Sequence, residues 1–89
     1  MEVKDKVVVV TGAGRGIGQA IAQALGGAGA TVACAARSLD QVEAAAAAIR
    51  QKGGTASAFR LDVARAEDIA AQLEAIAQAL GPIDILINN

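Results

Sequence analysis

The stretch VVVVTGAGRGIGQAIAQAL (residues 7–25) places four glycines within seven positions, between an apolar run typical of a strand and a run typical of a helix. Four consecutive valines predict a strand that is buried on both faces, as in a parallel sheet. Where a helix begins directly after such a strand, its first backbone N–H groups are unpaired and attract an anion. Glycines there permit a tight turn, close approach of the backbone to a phosphate, and close packing of helix on strand. The stretch therefore predicts a phosphate-binding loop that uses Gly12, Gly14, Gly16 and Gly18.

The alternation of strand and helix continues along the rest of the chain. Apolar runs predict strands at 6–12, 31–36, 56–63 and 83–87, with a helix in each interval. The order βαβαβαβ with right-handed crossovers predicts an α/β, Rossmann-like doubly wound parallel sheet with strand order 3-2-1-4. The first helix is predicted to bury a face made of Ile17, Ala20, Ile21, Ala24, Leu25 and Ala28. The alanine run 44–48 is predicted to lie in a lightly packed second helix.

Composition excludes several classes of protein. Of the 89 residues, 54% are hydrophobic, which is far too many for a disordered chain, and the net charge of −1 gives no basic excess for nucleic acid. No apolar run is long enough for a membrane span, so a cytoplasmic location is expected. Cys34 is the single cysteine, which is predicted to be a core residue, and no metal site is predicted. The chain has no histidine or tyrosine, so it cannot by itself supply either one as a general acid or base.

The spacing of the glycines distinguishes among phosphate-binding loops. A P-loop requires Gly-Lys-Ser/Thr at its end, and the G-x-G-x-x-G pattern fails because Ile17 and Gln19 stand where its last glycine would be. The pattern that remains is T-G-x-x-x-G-x-G, from Thr11 to Gly18. A flavodoxin-like module is a weaker alternative, since its loop usually carries Ser and Thr donors in place of glycines.

This pattern resembles the short-chain dehydrogenase/reductase family, and the sequence around it is similar to those of 3-oxoacyl-(acyl carrier protein) reductases. AARS (35–38), LDV (61–63) and NN (88–89) follow the later strands in the family's order. The resemblance implies that backbone from Gly14 to Ile17 contacts the ribose and pyrophosphate of a nicotinamide dinucleotide. It also implies that Asp62 accepts a hydrogen bond from the adenine amino group, that Val63 offers its backbone to the ring, and that Asn88 begins a signature beside the cofactor. Thr11 would brace the loop; alternatively, Asp62 is a turn residue and Asn88 merely ends a strand.

The end of the second strand favours one nicotinamide cofactor. An acidic residue at that position would bind the ribose 2′-hydroxyl of NAD, but this chain has Ala36 there, followed by Arg37 and Ser38. Arg37 can offer a bidentate contact to a 2′-phosphate, and Arg15 in the glycine loop can approach from the other side. We therefore predict NADP(H) over NAD(H), the alternative being that both arginines are solvated surface charges.

The resemblance also implies that residues 1–89 do not include the family's catalytic residues. The family's catalytic serine, tyrosine and lysine follow the Asn-Asn-Ala-Gly signature, so no catalytic residue is assigned here. Residues 1–89 are expected to form the N-terminal dinucleotide-binding half of an oxidoreductase that transfers hydride between NADPH and a carbonyl or hydroxyl group. They are predicted to be inactive alone. The other hypothesis is a free-standing or engineered nucleotide-binding module without catalysis.

Self-association is a further expectation. The fourth strand is apolar but lies at the edge of the predicted sheet. The first two helices are predicted on one face of the sheet, so the third helix alone covers the other face. A homo-oligomer is predicted, formed through the fourth strand, the bare sheet face or an exchanged element.

Overall fold

Alternating strands and helices form one sheet with helices on both faces in the computed structural model, which describes residues 2–89. The elements are β1 (Val7–Thr11), α1 (Gly16–Gly27), β2 (Thr31–Ala36), α2 (Leu39–Gln51), β3 (Thr55–Arg60), α3 (Ala66–Leu80) and β4 (Ile85–Ile87). All strand pairs are parallel, and the order is β3-β2-β1-β4. The predicted Rossmann-like α/β fold and its strand order are confirmed. No helix within the described residues is both long and apolar enough to cross a bilayer.

The core is divided into two layers by the sheet. Val8, Val10, Val32 and Cys34 point to the face covered by α1 and α2, where they form one apolar cluster with helix residues such as Ala22. The alternate positions Val9, Ala33 and Ala35 pack on the other face with Leu61 and Ile76, the latter from α3. Because side chains alternate along a strand, a central strand of valine and alanine serves both layers at once.

The predicted buried face of α1 is wrong at four of its six residues. The helix buries Gly18, Ala22 and Gly26, whereas Ile17 is 74% exposed and the predicted alanines at 20, 24 and 28 are exposed; Ile21 and Leu25 are half-buried. A Cβ added to Gly26 would lie 2.5 Å from Cγ2 of Ile49, so α1 lies too close to its neighbours for larger side chains. The contact face is therefore a row of small residues at four-residue spacing, which hydrophobic periodicity does not reveal.

The alanine run in α2 is packed more tightly than predicted. Ala45 and Ala46 are fully buried between Val42 and Ile49, so the small side chains let the helix lie close to the sheet. The predicted cap is present, because Oγ of Ser38 accepts a hydrogen bond from N–H of Gln41 at 3.4 Å.

β2 has its predicted bounds, whereas the other three strands are shorter than predicted, most clearly β4. Asp84 precedes it and pairs twice with Val7: its N–H donates to the Val7 carbonyl at 2.9 Å, and its Oδ2 accepts from the Val7 N–H at 2.9 Å. A carboxylate thus replaces a strand carbonyl at the start of β4. At β3 the sheet pairing ends where Leu61 N–H donates to the Ala36 carbonyl at 2.8 Å, and the chain then turns.

The pH dependence of stability is expected to include a contribution from Cys34, which is fully buried in β2. Burial raises the pKa of its thiol from 9.0 to about 11, and the Arg50 charge opposes the rise only in part. Since the thiol ionises more readily in the unfolded chain, it stabilises the fold fully below pH 9 and loses this effect as pH rises to about 11. We expect a loss on the order of 2 kcal/mol in the free energy of unfolding across that range, measured by urea denaturation. Cys34→Ala should show a correspondingly smaller decline; equal declines would contradict the prediction.

Candidate functional site

A cavity of about 510 Å³ opens where the four strands end. Its walls come from Thr11 and Gly12 after β1, residues 36–38 after β2, Leu61 and Val63 after β3, and Asn88 and Asn89 after β4, with Arg15 and Gln41 at its margin. In open α/β sheets, ligands bind in the crevice at the carboxyl ends of the strands, where the strand order reverses. Here that reversal occurs between β1 and β4, because β2 and β3 lie on one side of β1 and β4 lies on the other.

The glycines of the loop have separate structural tasks. Gly12 and Gly16 have φ angles of +63° and +61°, a region that side chains disfavour. Gly14 lies against α2, because an added Cβ would be 2.8 Å from Cβ of Gln41. A Cβ at Gly18 would overlap the Gly12 carbonyl oxygen and lie 2.6 Å from Nδ2 of Asn89. Two glycines thus make the turn, and two allow close packing.

The N-terminus of α1 follows this loop directly. Arg15 occupies the N-cap position with an extended backbone and makes no side-chain cap. Among the described residues, the first turn of α1 contains no acidic side chain, so nothing in that turn neutralises the positive end of the helix dipole. The N–H groups of Gly16, Ile17 and Gly18 lack partners within the helix by its geometry. The arrangement can bind an anion such as a phosphate.

Thr11 connects the ends of β1 and β4. Its Oγ1 lies 3.3 Å from both the Ile87 carbonyl and Oδ1 of Asn88, and it accepts a hydrogen bond from the Asn89 N–H at 3.1 Å. Nδ2 of Asn89 approaches the Gly12 carbonyl at 3.5 Å. The start of the glycine loop is therefore held against the end of the neighbouring strand. Asn89 lines the cavity but is not among the predicted site residues, because its role depends on contacts with Thr11 and Gly12, which are distant in sequence.

The cavity is lined by six of the eleven predicted site residues: Gly12, Arg15, Arg37, Ser38, Val63 and Asn88. The remaining loop residues, Gly14, Gly16, Ile17 and Gly18, form the turn and the helix start behind it. Asp62 also lies outside the lining, between Leu61 and Val63, which do line the cavity. Its Oδ1 accepts a hydrogen bond from the Ala64 N–H at 3.0 Å, as in an Asx turn. This contact is the geometry expected if Asp62 is a turn residue.

The charged side chains that line the cavity are all basic. Arg15 and Arg37 are exposed at its rim, and no residue of the described chain that lines it carries a carboxylate. Oγ of Ser38 accepts a bond from Gln41, which leaves its hydroxyl hydrogen to donate. Two guanidinium groups and a hydroxyl donor suit a doubly charged phosphate. Residues 2–89 contain no group of three or more His, Cys, Asp or Glu side chains placed to hold a metal ion.

The family model for the short chain dehydrogenase matches residues 6–89. The chain is 45% identical over 89 residues to the 3-oxoacyl-(acyl-carrier-protein) reductase FabG of Pseudomonas aeruginosa, covering 100% of this chain and 36% of that protein. It spans about a third of the length of the curated relatives that it matches.

Solved structures of this kind are similar over almost the whole chain. A hydroxysteroid dehydrogenase from Escherichia coli superposes with a TM-score of 0.93 at 35% identity, over 99% of this chain and 37% of that one. A metagenomic short-chain oxidoreductase in complex with NADP superposes with a TM-score of 0.89 at 38% identity, over 97% of this chain and 39% of the other. With its glycine loop, its strand order and the match over residues 6–89, the chain belongs to the short-chain dehydrogenase family.

Proposed function

We propose that this chain binds NADP(H), as the cofactor-binding part of an oxidoreductase that transfers hydride between NADPH and a carbonyl or hydroxyl group. The observation that carries the proposal is that Arg15 and Arg37 both line a cavity whose described lining has no acidic side chain. A carboxylate would bind a ribose 2′-hydroxyl and repel a 2′-phosphate, whereas two guanidinium groups attract the phosphate. The similar structure that holds NADP supports the same choice.

The residues divide between the two ends of the cofactor. In the proposal, backbone of Gly12, Gly14, Gly16, Ile17 and Gly18 binds the pyrophosphate and its ribose, and Arg15, Arg37 and Ser38 bind the 2′-phosphate. Asp62 and Val63 bind adenine, and Asn88 lies beside the nicotinamide half. The bound cofactor supplies the hydride. This chain binds and orients it, and a tyrosine or histidine acting as general acid would have to come from outside these 89 residues.

The nucleotide preference can be measured without catalysis. By isothermal calorimetry, we expect 2′,5′-ADP to bind the chain at least about tenfold more tightly than 5′-AMP, because only the former carries the 2′-phosphate. Arg37→Gln should remove most of this preference and leave 5′-AMP binding unchanged. Arg60→Gln is the matched control, since Arg60 is exposed at the end of β3 and does not line the cavity. Equal affinities of the wild-type chain for the two nucleotides would contradict NADP(H) as the cofactor.

We also propose that the chain associates with a second copy of itself through β4. In the described sheet β4 is an edge strand, and it contains no proline or lysine that would hinder pairing with another strand. Leu86 at its centre is 49% exposed and pairs with Val9, which packs on the face that α3 covers. An apolar side chain on an open strand edge favours strand addition, and a two-fold dimer would bury both copies at once.

A further inference from the structure

The loop between β3 and α3 contains a backbone segment that makes no hydrogen bonds to the sheet. The last bond to β2 is made by the Leu61 N–H, so the backbone groups of Asp62 lie beyond the ladder. The helix that follows does not compensate, because Arg65 at its N-cap makes no side-chain cap within the described chain. The ion pairs of Arg65 with Glu67 and Asp68 are 3.8 and 3.6 Å long and exposed, so they stabilise little.

Gln72 binds this segment from the second turn of α3. Its Oε1 accepts a hydrogen bond from the Asp62 N–H at 2.9 Å, and its Nε2 donates to the Asp62 carbonyl at 3.2 Å. The same Nε2 lies 3.0 Å from the Asp68 carbonyl within α3. The side-chain amide thus satisfies both backbone groups of Asp62, as a peptide group of a neighbouring strand would. Gln72 is half-buried, which reduces competition from water.

The two residues that flank Asp62 are walls of the cavity. Leu61 is buried and Val63 is exposed at its opening, and both line it. The hydrogen bonds that Gln72 makes to the N–H and the carbonyl of Asp62 fix the direction in which the chain continues into Val63. They also fix the Cα from which the Asp62 carboxylate projects, while Ala64 N–H holds that carboxylate at one oxygen.

We infer that Gln72 is a positioning residue for the adenine subsite, acting through Asp62 and Val63 without touching the nucleotide. The inference rests on the proposed function, since it concerns how the same cavity distinguishes one base from another. Without the hydrogen bonds from Gln72, the loop would have to become ordered when the base binds. Ordering even one residue carries an entropic cost. A loop already held by Gln72 avoids that cost and presents the Asp62 carboxylate to the adenine amino group in a defined place.

The test compares NADP⁺ with its hypoxanthine analogue, in which an oxo group replaces the adenine amino group. We expect the wild-type chain to bind the adenine form about tenfold more tightly, the effect of one hydrogen bond to a charged acceptor. In Gln72→Leu this ratio should fall to about twofold or less, whereas the preference for 2′,5′-ADP over 5′-AMP should be unchanged. Gln78→Leu is the matched control, because Gln78 is exposed on the same helix and outside the cavity lining.

A purely structural role for Gln72 predicts a different result. General destabilisation would weaken binding of the adenine and hypoxanthine forms in parallel and leave the ratio of their affinities at the wild-type value. That result would overturn the inference. A ratio near one in the wild-type chain would overturn it as well. Amide hydrogen exchange measured by NMR gives a second readout without nucleotide: the Asp62 amide should be protected in the wild type and in Gln78→Leu, and lose that protection in Gln72→Leu. An unprotected wild-type Asp62 amide also overturns the inference. Failure of the wild-type chain to prefer 2′,5′-ADP contradicts the proposed cofactor and is recognised separately from the base ratio.

Discussion

Gly18→Ala is expected to destabilise the chain by about 3 kcal/mol or more, the upper end of the usual cost of over-packing. The added methyl group would overlap the Gly12 carbonyl oxygen and approach Nδ2 of Asn89 to 2.6 Å. Neither neighbour can move freely, because Gly12 is in the left-handed turn and Asn89 is bound through its backbone to Thr11. Chemical denaturation followed by circular dichroism would measure the loss, and nucleotide binding should fall with it because the turn must open.

Gly27→Ala is the matched control for this substitution. Gly27 is the last residue of the same helix, and an added Cβ would meet nothing within 4 Å. The change should stabilise the chain by roughly 0.5 kcal/mol, because alanine loses less backbone entropy than glycine in a helix. Opposite signs for the two glycines would establish that close packing determines the requirement at position 18. A Gly18→Ala variant as stable as Gly27→Ala would contradict the packing described here.

Leu86→Lys is expected to convert the associated chain to a monomer. The lysine would place a charge on the open edge strand where a second copy would pair, and removing it from water would be costly. Ile85 is a poorer choice for this test, because it is half-buried, pairs with Val8 and packs against the core, so a lysine there would also disturb the fold. Multi-angle light scattering at micromolar concentrations would give the mass of each variant.

The control for the edge strand is Leu39→Lys. Leu39 is 42% exposed at the start of α2 on the other side of β1 from β4, so it tests the same chemical change away from the edge. This variant should retain the wild-type mass. A monomeric wild-type chain, or a Leu86→Lys variant that stays associated, would mean that β4 does not drive association.

The fold could be predicted because each of its elements has a local cause. Four valines in sequence specify a strand buried on both faces, Ser38 and Gln41 mark the start of α2, and Gly81 ends α3 with a φ of +102°. The arrangement of the strands then follows from crossover handedness, which no single residue encodes. Several cavity residues follow from the same argument, because strand ends meet at one edge of a parallel sheet.

The contacts that could not be predicted depend on distances across the fold. The buried face of α1 is formed by Gly18, Ala22 and Gly26, whose importance lies in what they leave room for. Gln72 reaches Asp62 across ten positions, and the sequence offers no spacing rule for such a pair. The strand β4 begins later than predicted, at Ile85, because the carboxylate of Asp84, in place of a backbone group, pairs with Val7.

The contacts of Asn89 have a thermodynamic consequence for the two proposed binding events. Its backbone is bound to Thr11 at the end of β1, and its side chain lies between Gly12 and Gly18 in the glycine loop. Asn89 also lies only two residues beyond β4, so a partner that ordered the end of that strand would order the wall of the loop as well. Linkage makes such an effect reciprocal: by whatever factor strand pairing raises affinity for nucleotide, nucleotide raises the affinity of pairing. The mass of the chain in solution would then depend on the concentration of its cofactor.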